Sequence, residues 1–384
     1  MDFELSEDAR AFAQVARDFA AEKMAPFARE WDETCHFPVE TLREAAGLGF
    51  AGLYVRDDVG GTGASRLDAA IVLEELARGC TSTAAFLSIH NMVSWMIDAY
   101  GTGDQRQRYL PALTSMELIA SYCLTEPGAG SDAAALKCRA RPSGNGYVLN
   151  GTKAFISGGA RSDIYLVMAR TGEDGPRGVS AFLVEKDTQG LTFGAQEAKM
   201  GWRSQPTSMV NFDDCFVGAD ALVGGETGLG RGFNIAMTAL DGGRVNIAAT
   251  ALGTAQFAFE QARAYLGERR QFGHKLKDFQ ALRFRIADMA TELAAARLMV
   301  WRAAVAIDTD APDRTMLCAM AKRFGTDTAF NVVNEALQLH GGYGYLRDFP
   351  LERNLRDVRV HQILEGTNEI MRVIISRALL DGPS

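Results

Sequence analysis

The sequence predicts an α+β chain with an N-terminal α-helical unit (1–118), a middle antiparallel β-barrel or sandwich (119–225) and a C-terminal four-helix bundle (226–384). Three observations predict it. Apolar residues recur at helical spacing in the first third. Short β-type runs divided by Gly, Pro and Asn begin near Ile119. No proline lies between Pro206 and Pro312, which leaves room for long helices. A chain of 384 residues, 47% of them hydrophobic, exceeds what one core holds, so several packed units are expected.

Taken in order, Ser6 reads as an N-cap with Glu7 and Asp8 in the first turn. Phe12, Val15, Ala16, Phe19 and Ala20 then share one helical face, and the helix should end before Pro26. Leu67–Leu76, Ala84–Ala99 and Asp104–Leu110 follow as helices, with Gly60-Gly61-Thr62-Gly63 a loop. In the middle unit, Tyr147-Val148-Leu149, Asn150-Gly151 and Ala154–Ser157 read as a hairpin, because Asn-Gly accepts the positive φ of a type I′ turn. Ile164–Ala169, Ser180–Val184, Leu191–Phe193 and Ser208–Phe212 are further strands. Gly232–Leu266, Lys277–Asp308, Thr315–Leu339 and Val358–Leu380 are the helices of the bundle.

Composition excludes several function classes. Lys+Arg of 40 against Asp+Glu of 48 gives −8 without a basic cluster, which argues against nucleic acid. The longest uncharged run, Gly79–Ile97, is rich in Ser, Thr, His and Asn, so no membrane span is expected. Six scattered cysteines without a CxxC pair read as reduced thiols, and the five histidines lack metal spacing. Met1-Asp2-Phe3-Glu4-Leu5 resembles neither a secretory signal nor a transit peptide, so a cytoplasmic location is expected, or a mitochondrial matrix for a processed form.

Six constellations could carry chemistry. Tyr122–Asp132 ends in Gly128-Ala129-Gly130-Ser131-Asp132, a loop whose N–H groups can hold anionic oxygens or which is an ordinary turn into the β-unit. Phe155 and Ser157 share a strand face, an aromatic plane beside a hydroxyl that suits a flat heteroaromatic ring, or else core Phe and strand-end Ser. Asp241-Gly242-Gly243-Arg244 puts a glycine pair inside a helix at about 1 kcal/mol per residue, so a ligand or another element should approach closely there. Arg244 can pair with an anion or be a solvated helix charge. Glu268–Gly273 carries two arginines on a turn, able to grip a pyrophosphate or forming an interhelical charge run. Gln338–Tyr345 has more glycines than a helix C-cap needs. In Leu364–Ile370, Thr367 is an N-cap and Glu365 lies just outside the helix beside apolar neighbours, where a carboxyl pKa can rise toward that of a general base.

Together and in this order, these segments resemble the acyl-CoA dehydrogenase family of flavoenzymes, over residues 1–380. The two long signatures are 122–132 and Gln338–Gly344 with Gln362–Thr367. Lys153–Gly158 and His361–Glu369 look closest to the isobutyryl-CoA branch, although Asp241 stands where that branch tends to have Asn. The resemblance implies FAD as cofactor and a homotetramer, with the ADP half of FAD reaching a neighbouring subunit. Carried over residue by residue, Leu124, Thr125, Phe155, Ile156 and Ser157 would surround the isoalloxazine, and Cys123, Gly130, Ser131, Gln271 and Phe272 would also contact FAD. Arg269, Phe279 and Gln280 match the adenine side, with Gln338, Gly341 and Gly342 alongside, and Thr367, Asn368 and Glu369 a further FAD segment. Ser131, Asp241, Gly242, Gly243, Arg244, Gly366 and Arg377 match acyl-CoA contacts, and Glu365 matches the catalytic base. Some relatives place the base where this chain has Gly243, which cannot serve. No metal is implied.

The reaction so implied is α,β-dehydrogenation of a short branched acyl-CoA, isobutyryl-CoA to methacrylyl-CoA in valine breakdown, with electrons passing to electron-transfer flavoprotein. The α-proton of a thioester is too weakly acidic for a carboxylate in water, so fixed donors in a dry pocket must polarise the carbonyl. Phe155, Ser157 and Leu364, where many relatives have Trp, Thr and Tyr, fit a compact branched acyl group. The alternatives are a straight short-chain or 2-methylbutyryl-CoA dehydrogenase, an acyl-CoA oxidase, and a flavin-free scaffold.

Overall fold

The computed structural model describes residues 4–382; Met1–Phe3, part of the N-terminal reading above, lie outside them. Helix α1 (Glu7–Phe19) starts where expected, with Ser6 Oγ accepting from the Ala9 N–H. It runs on through a π-helical turn, Ala20–Met24, and stops before Pro26. Helices α2 (Ala28–Thr34) and α3 (Val39–Gly47) were not anticipated. Each is too short to show a period, and Cys35 in the left-handed region and Pro38 separate them. Helices α4 (Arg66–Gly79) and α6 (Gly103–Thr114) open with capping boxes, Ser65/Asp68 and Thr102/Gln105. Between them α5 (Thr81–Tyr100) holds the long uncharged run. It is buried almost all round, which is why it carries no charge until Asp98. Among the described residues no helix is long and apolar enough to cross a membrane.

The middle unit is one seven-stranded sheet of β1 (Ala120–Cys123), β2 (Arg139–Ser143), β3 (Gly146–Ser157), β4 (Ile164–Arg170), β5 (Val179–Glu185), β6 (Leu191–Phe193) and β7 (Thr207–Gly218). Its order is β1-β4-β2-β3-β7-β6, with β5 on β4. Most pairings are antiparallel; β1 joins β4 in parallel. The hairpin expected at Asn150-Gly151 is corrected. The chain turns at Gly144-Asn145, with Ser143 opposite Gly146, and passes 150–151 within β3 as a bulge. Gly151, at φ +148°, is needed because a Cβ there would stand 2.7 Å from Cys138 Cα. A turn at that point would also unpair Thr152–Ser157, which lie against β7.

Helix α7 (Gly232–Glu268) is the axis of the C-terminal part. A ribbon of β8 (Arg270–Gln271) and β9 (His274–Lys275) leads to α8 (Gln280–Asp308) and α9 (Arg314–His340). The single helix expected over Val358–Leu380 is corrected too. Helix α10 (Leu351–Arg359) runs into a 3-10 turn, Val360–Gln362, then an irregular stretch, then α11 (Asn368–Leu380). Glu365 at φ +52° and Gly366 at φ +90° make the break, and Thr367 Oγ1 caps α11 by accepting from the Ile370 N–H. Separate apolar cores fill the helical N-terminal part, the sheet and the α7–α9 bundle, and another joins α5, α6, β1, β4, β5 and α7.

Candidate active site

Glu365 sits in the break before α11, facing the middle of α7. The residue is half-buried, but its Oε2 is sealed from solvent and has no hydrogen-bond partner among the described residues. A Cβ at Gly243 would collide with this carboxylate, so the helical glycine is what admits it. Burial pushes the Glu365 pKa up to about 7, against the pull of the Arg244 and Lys322 charges. The Glu365 N–H has no acceptor among the described residues, which leaves one donor open beside the carboxylate.

Two cations face it. Arg244 is paired with Asp241 at 2.7 Å, Asp241 also accepts from Thr315 Oγ1 at 2.6 Å, and Arg244 Nε lies 3.5 Å from Glu365 O. Lys322 of α9 is fully buried, and burial lowers its pKa to about 8. Beside them Tyr122 Oη is buried without a partner, and Tyr54 Oη accepts from Asn246 Nδ2 at 3.0 Å. Burial raises both phenol pKa values, and the nearby Glu365 charge adds to it. Gly242 faces elsewhere: a Cβ there would come 2.6 Å from the guanidinium of Arg66. Arg66 is stacked on the rings of Tyr54 (3.7 Å) and Trp95 (4.6 Å). Sequence reasoning missed Arg66, Tyr54 and Lys322; Lys322 stands beside Arg323 in α9, so no local pattern set it apart as buried.

Two strands bring a second group together. Lys153, fully buried, donates to Glu126 Oε1 (2.8 Å) and Leu124 O (3.0 Å), and Ala154 N–H donates to Thr125 O (2.8 Å). Glu126 also accepts from the N–H groups of Lys137 and Cys138. Leu124 and Thr125 are thereby fixed against Phe155, Ile156 and Ser157. Phe155 stands in a bulge at φ +58° and is 70% exposed, while Cys123 and Ile156 point into the core. Ser157 Oγ accepts from Gln205 Nε2 at 2.7 Å, and Gln205 Oε1 is buried and unpaired. Gly130 and Ser131 are exposed, and a Cβ on Gly130 would meet nothing.

A third group borders a cleft of about 720 Å³ at the far end of the bundle, where Arg269 and Gln271 meet Gln338, Gly341 and Gly342. Cβ atoms on Gly341 or Gly342 would project into open space; the φ of +59° accounts for Gly341, while packing within the chain does not explain Gly342. Arg269 lies over the Tyr343 ring at 5.5 Å. Phe272 and Phe279 do not line the cleft; their rings meet edge-on at 6.4 Å beside the β8–β9 ribbon, and Gln280 is exposed at the start of α8. Asn368 is turned inward to Lys322, Thr326 and Asp327, Glu369 pairs with Arg372 on the surface, and Arg377 is exposed on α11. Gly366 at φ +90° completes the turn next to Glu365.

The Glu365 turn is tied to the β6–β7 loop and to α7 by an anchor that sequence reasoning also missed. Trp202 donates its N–H to Asp357 at 2.6 Å and its indole N–H to His361 Nε2 at 3.2 Å, while His361 Nδ1 meets Ile247 O at 3.1 Å. His361 is therefore a structural hub and no metal ligand. Leu364 packs with Val360 against Ala85, Trp202 and Ile247. Among the described residues all six thiols are unpaired, five of them buried, and no His/Cys/Asp/Glu group is placed to hold a metal.

The chain as a whole is similar to known proteins. Models of the N-terminal, middle and C-terminal domains of acyl-CoA dehydrogenases match residues 6–117, 121–215 and 230–380. The chain is 56% identical over 376 residues to a mitochondrial isobutyryl-CoA dehydrogenase of Dictyostelium discoideum, covering 98% of this chain and 90% of that one. Among solved structures, butyryl-CoA dehydrogenase of Megasphaera elsdenii superposes with a TM-score of 0.95 at 38% identity, over 99% of this chain and 100% of the other. A chain in the structure of the electron transferring flavoprotein of Acidaminococcus fermentans gives 0.96 at 40% identity, over 99% and 100%.

Proposed function

The chain belongs to the acyl-CoA dehydrogenase family, and from that premise we propose that it oxidises a short branched acyl-CoA, isobutyryl-CoA to methacrylyl-CoA, with Glu365 as base. The protein is an FAD-dependent oxidoreductase. One observation carries the assignment of the base: Glu365 Oε2 is a sealed, unpartnered carboxylate oxygen with its pKa raised to about 7. A base held in water near its ordinary pKa would be too weak for a thioester α-proton. Desolvation brings the two acidities closer.

The chain's own groups then divide the work. Glu365 takes the α-proton at its carboxylate. Its open N–H is available to the thioester carbonyl oxygen as negative charge develops there, in a site where water does not compete. Arg244 and Lys322 keep part of the Glu365 population ionised despite burial. The residues present fit FAD. Phe155 offers an exposed ring and Gln205 Oε1 an orphan acceptor beside Ser157, while the 720 Å³ cleft has arginines and bare glycine backbone for the distal half. FAD, when bound, accepts the β-hydrogen with its electron pair.

Identity supports the branched substrate: 56% to the isobutyryl-CoA enzyme against 38% to the butyryl-CoA enzyme. Steady-state rates across an acyl-CoA panel test it, and faster turnover of butyryl-CoA than of isobutyryl-CoA would overturn it. Electron-transfer flavoprotein is the proposed acceptor, in keeping with the Acidaminococcus structure. A homotetramer is proposed because Phe272 (90% exposed), Phe284, Leu379 and Leu380 present apolar surface along the β8–β9 ribbon, α8 and α11. Three units divided near residues 118 and 225 and a reducing compartment, cytoplasm or mitochondrial matrix, complete the proposal; the unpaired thiols support the compartment.

A further inference from the structure

Glu365 stands at φ +52° in a loop between two helices, a conformation that a non-glycine residue keeps only when its surroundings hold it. Besides the His361 anchor and Arg244, the ties on both sides of Glu365 come from one and a half turns of α9. Lys322 Nζ donates to Gly366 O at 2.7 Å and to Asn368 Oδ1 at 2.9 Å. Asn368 Nδ2 in turn donates to Thr326 Oγ1 (3.0 Å) and Asp327 Oδ1 (2.7 Å), and Gln362 Nε2 donates to the same Asp327 oxygen (2.7 Å). Both flanks of Glu365 are thus bound to one helix, and the contact nearest the carboxylate is Lys322 to the next carbonyl.

Packing does not account for this lysine. It is fully buried, and among the described residues no carboxylate lies within ion-pair distance of it. An isolated ammonium in such a place is expensive to desolvate, and an apolar side chain of the same length would fill the space without that penalty. Its two hydrogen bonds both end on the loop that carries Glu365. We infer that Lys322 is a positioning residue for Glu365: by holding the Gly366 carbonyl and the Asn368 amide it fixes the left-handed turn that aims the carboxylate at Gly243. The inference rests on Glu365 being the base. The charged and titratable groups facing Glu365 are Arg244 of α7, Lys322 of α9, Tyr54, and Tyr122 of β1.

The test uses FAD-loaded Lys322→Met, with Glu365→Gln as reference and two readouts. One is anaerobic flavin bleaching by acyl-CoA. The other is an infrared pH titration of the Glu365 carboxyl, identified as the band absent from Glu365→Gln. Loss of the clamp should slow bleaching about 30-fold while substrate affinity changes less than about threefold, since misplacement of a base acts on the rate and not on binding. The infrared midpoint should move up, because a facing positive charge is gone. Should Lys322→Met not fold, Lys322→Gln, which keeps a donor without the charge, is read in the same way. Unchanged bleaching overturns the inference whether or not the midpoint moves, because the midpoint reports the lost charge and the rate reports the position of the base. Normal bleaching by Glu365→Gln overturns the reading of the base instead.

Discussion

Gly243 and Glu365 occupy one space: the carboxylate of Glu365 lies where a Cβ at Gly243 would be. The neighbouring Gly242 does the same for the guanidinium of Arg66. A glycine pair inside a helix costs about 1 kcal/mol per residue relative to alanine. Here each glycine opens the α7 surface to one charged group from another element, which is the close approach the sequence pattern called for.

Relocating the carboxylate tests that geometry. Gly243→Ala should displace Glu365 and slow flavin bleaching by about 10²-fold, with FAD content unchanged. Glu365→Gly removes the base at a left-handed position that glycine accepts. Adding Gly243→Glu to it should restore part of the lost rate, because a side chain at 243 points into the vacated space. A double variant as inactive as Glu365→Gly alone would show that the two positions do not share the site.

Glu365→Gln should bind FAD and acyl-CoA but leave the flavin oxidised. In the unsubstituted enzyme kcat/KM should rise with pH through about 7, since the base works ionised and burial has raised its pKa to that value. Stability has the opposite sign. With the folded pKa above the unfolded one, the carboxyl stabilises the fold at low pH and loses that contribution as pH rises from about 4.5 through 7. Glu365→Gln should therefore match the unsubstituted protein in Tm at pH 4 and exceed it at pH 8, by at most about 3 kcal/mol in stability. Equal Tm differences at both pH values would contradict the burial.

Lys153→Met leaves Glu126 charged and buried with two backbone donors and no cation. Breaking such a pair costs about 3–5 kcal/mol. The loop that fixes Leu124 and Thr125 against Phe155 should loosen, so lower Tm and faster FAD release are expected together. Unaltered FAD retention would separate this ion pair from the cofactor site.

His90 and His361 should both stay neutral at pH 6, in opposite tautomers. Ala120 N–H donates to His90 Nδ1, so Nε2 carries the proton toward Leu113 O; Trp202 donates to His361 Nε2, so Nδ1 carries it toward Ile247 O. Burial lowers each pKa to about 4. With folded values below the ordinary 6.5, their contribution to stability is full above that pH and declines as pH falls toward 4. Nitrogen-15 shifts of labelled histidine would show it, and an imidazolium signal from either ring at pH 6 would refute it.

The long elements were legible because their signals are local. The run without proline, the helical period after Ser6 and the Thr367 cap each involve residues a few positions apart, and the structure keeps them. Glu365 stood out as a carboxyl beside apolar neighbours just outside a helix. The hairpin at Asn150-Gly151 was misplaced because an Asn-Gly pair suits a bulge as well as a turn, and only Cys138 across the sheet decides between them. The span Val358–Leu380 reads as one helix by its period although Thr367 within it reads as an N-cap; the left-handed Glu365 and Gly366 that make the break are held from α9, which no local period shows.

By itself, then, the sequence determined the type and order of the long elements, since period and capping are properties of neighbours along the chain, and its ordered motifs singled out Glu365 through their resemblance to a known family. The tertiary structure alone decided that one oxygen of this group is sealed and unpartnered and that Arg244 and Lys322 face it. Desolvation and Coulomb interaction depend on distances through space between α7, α9 and the break before α11, and no spacing along a chain encodes them directly.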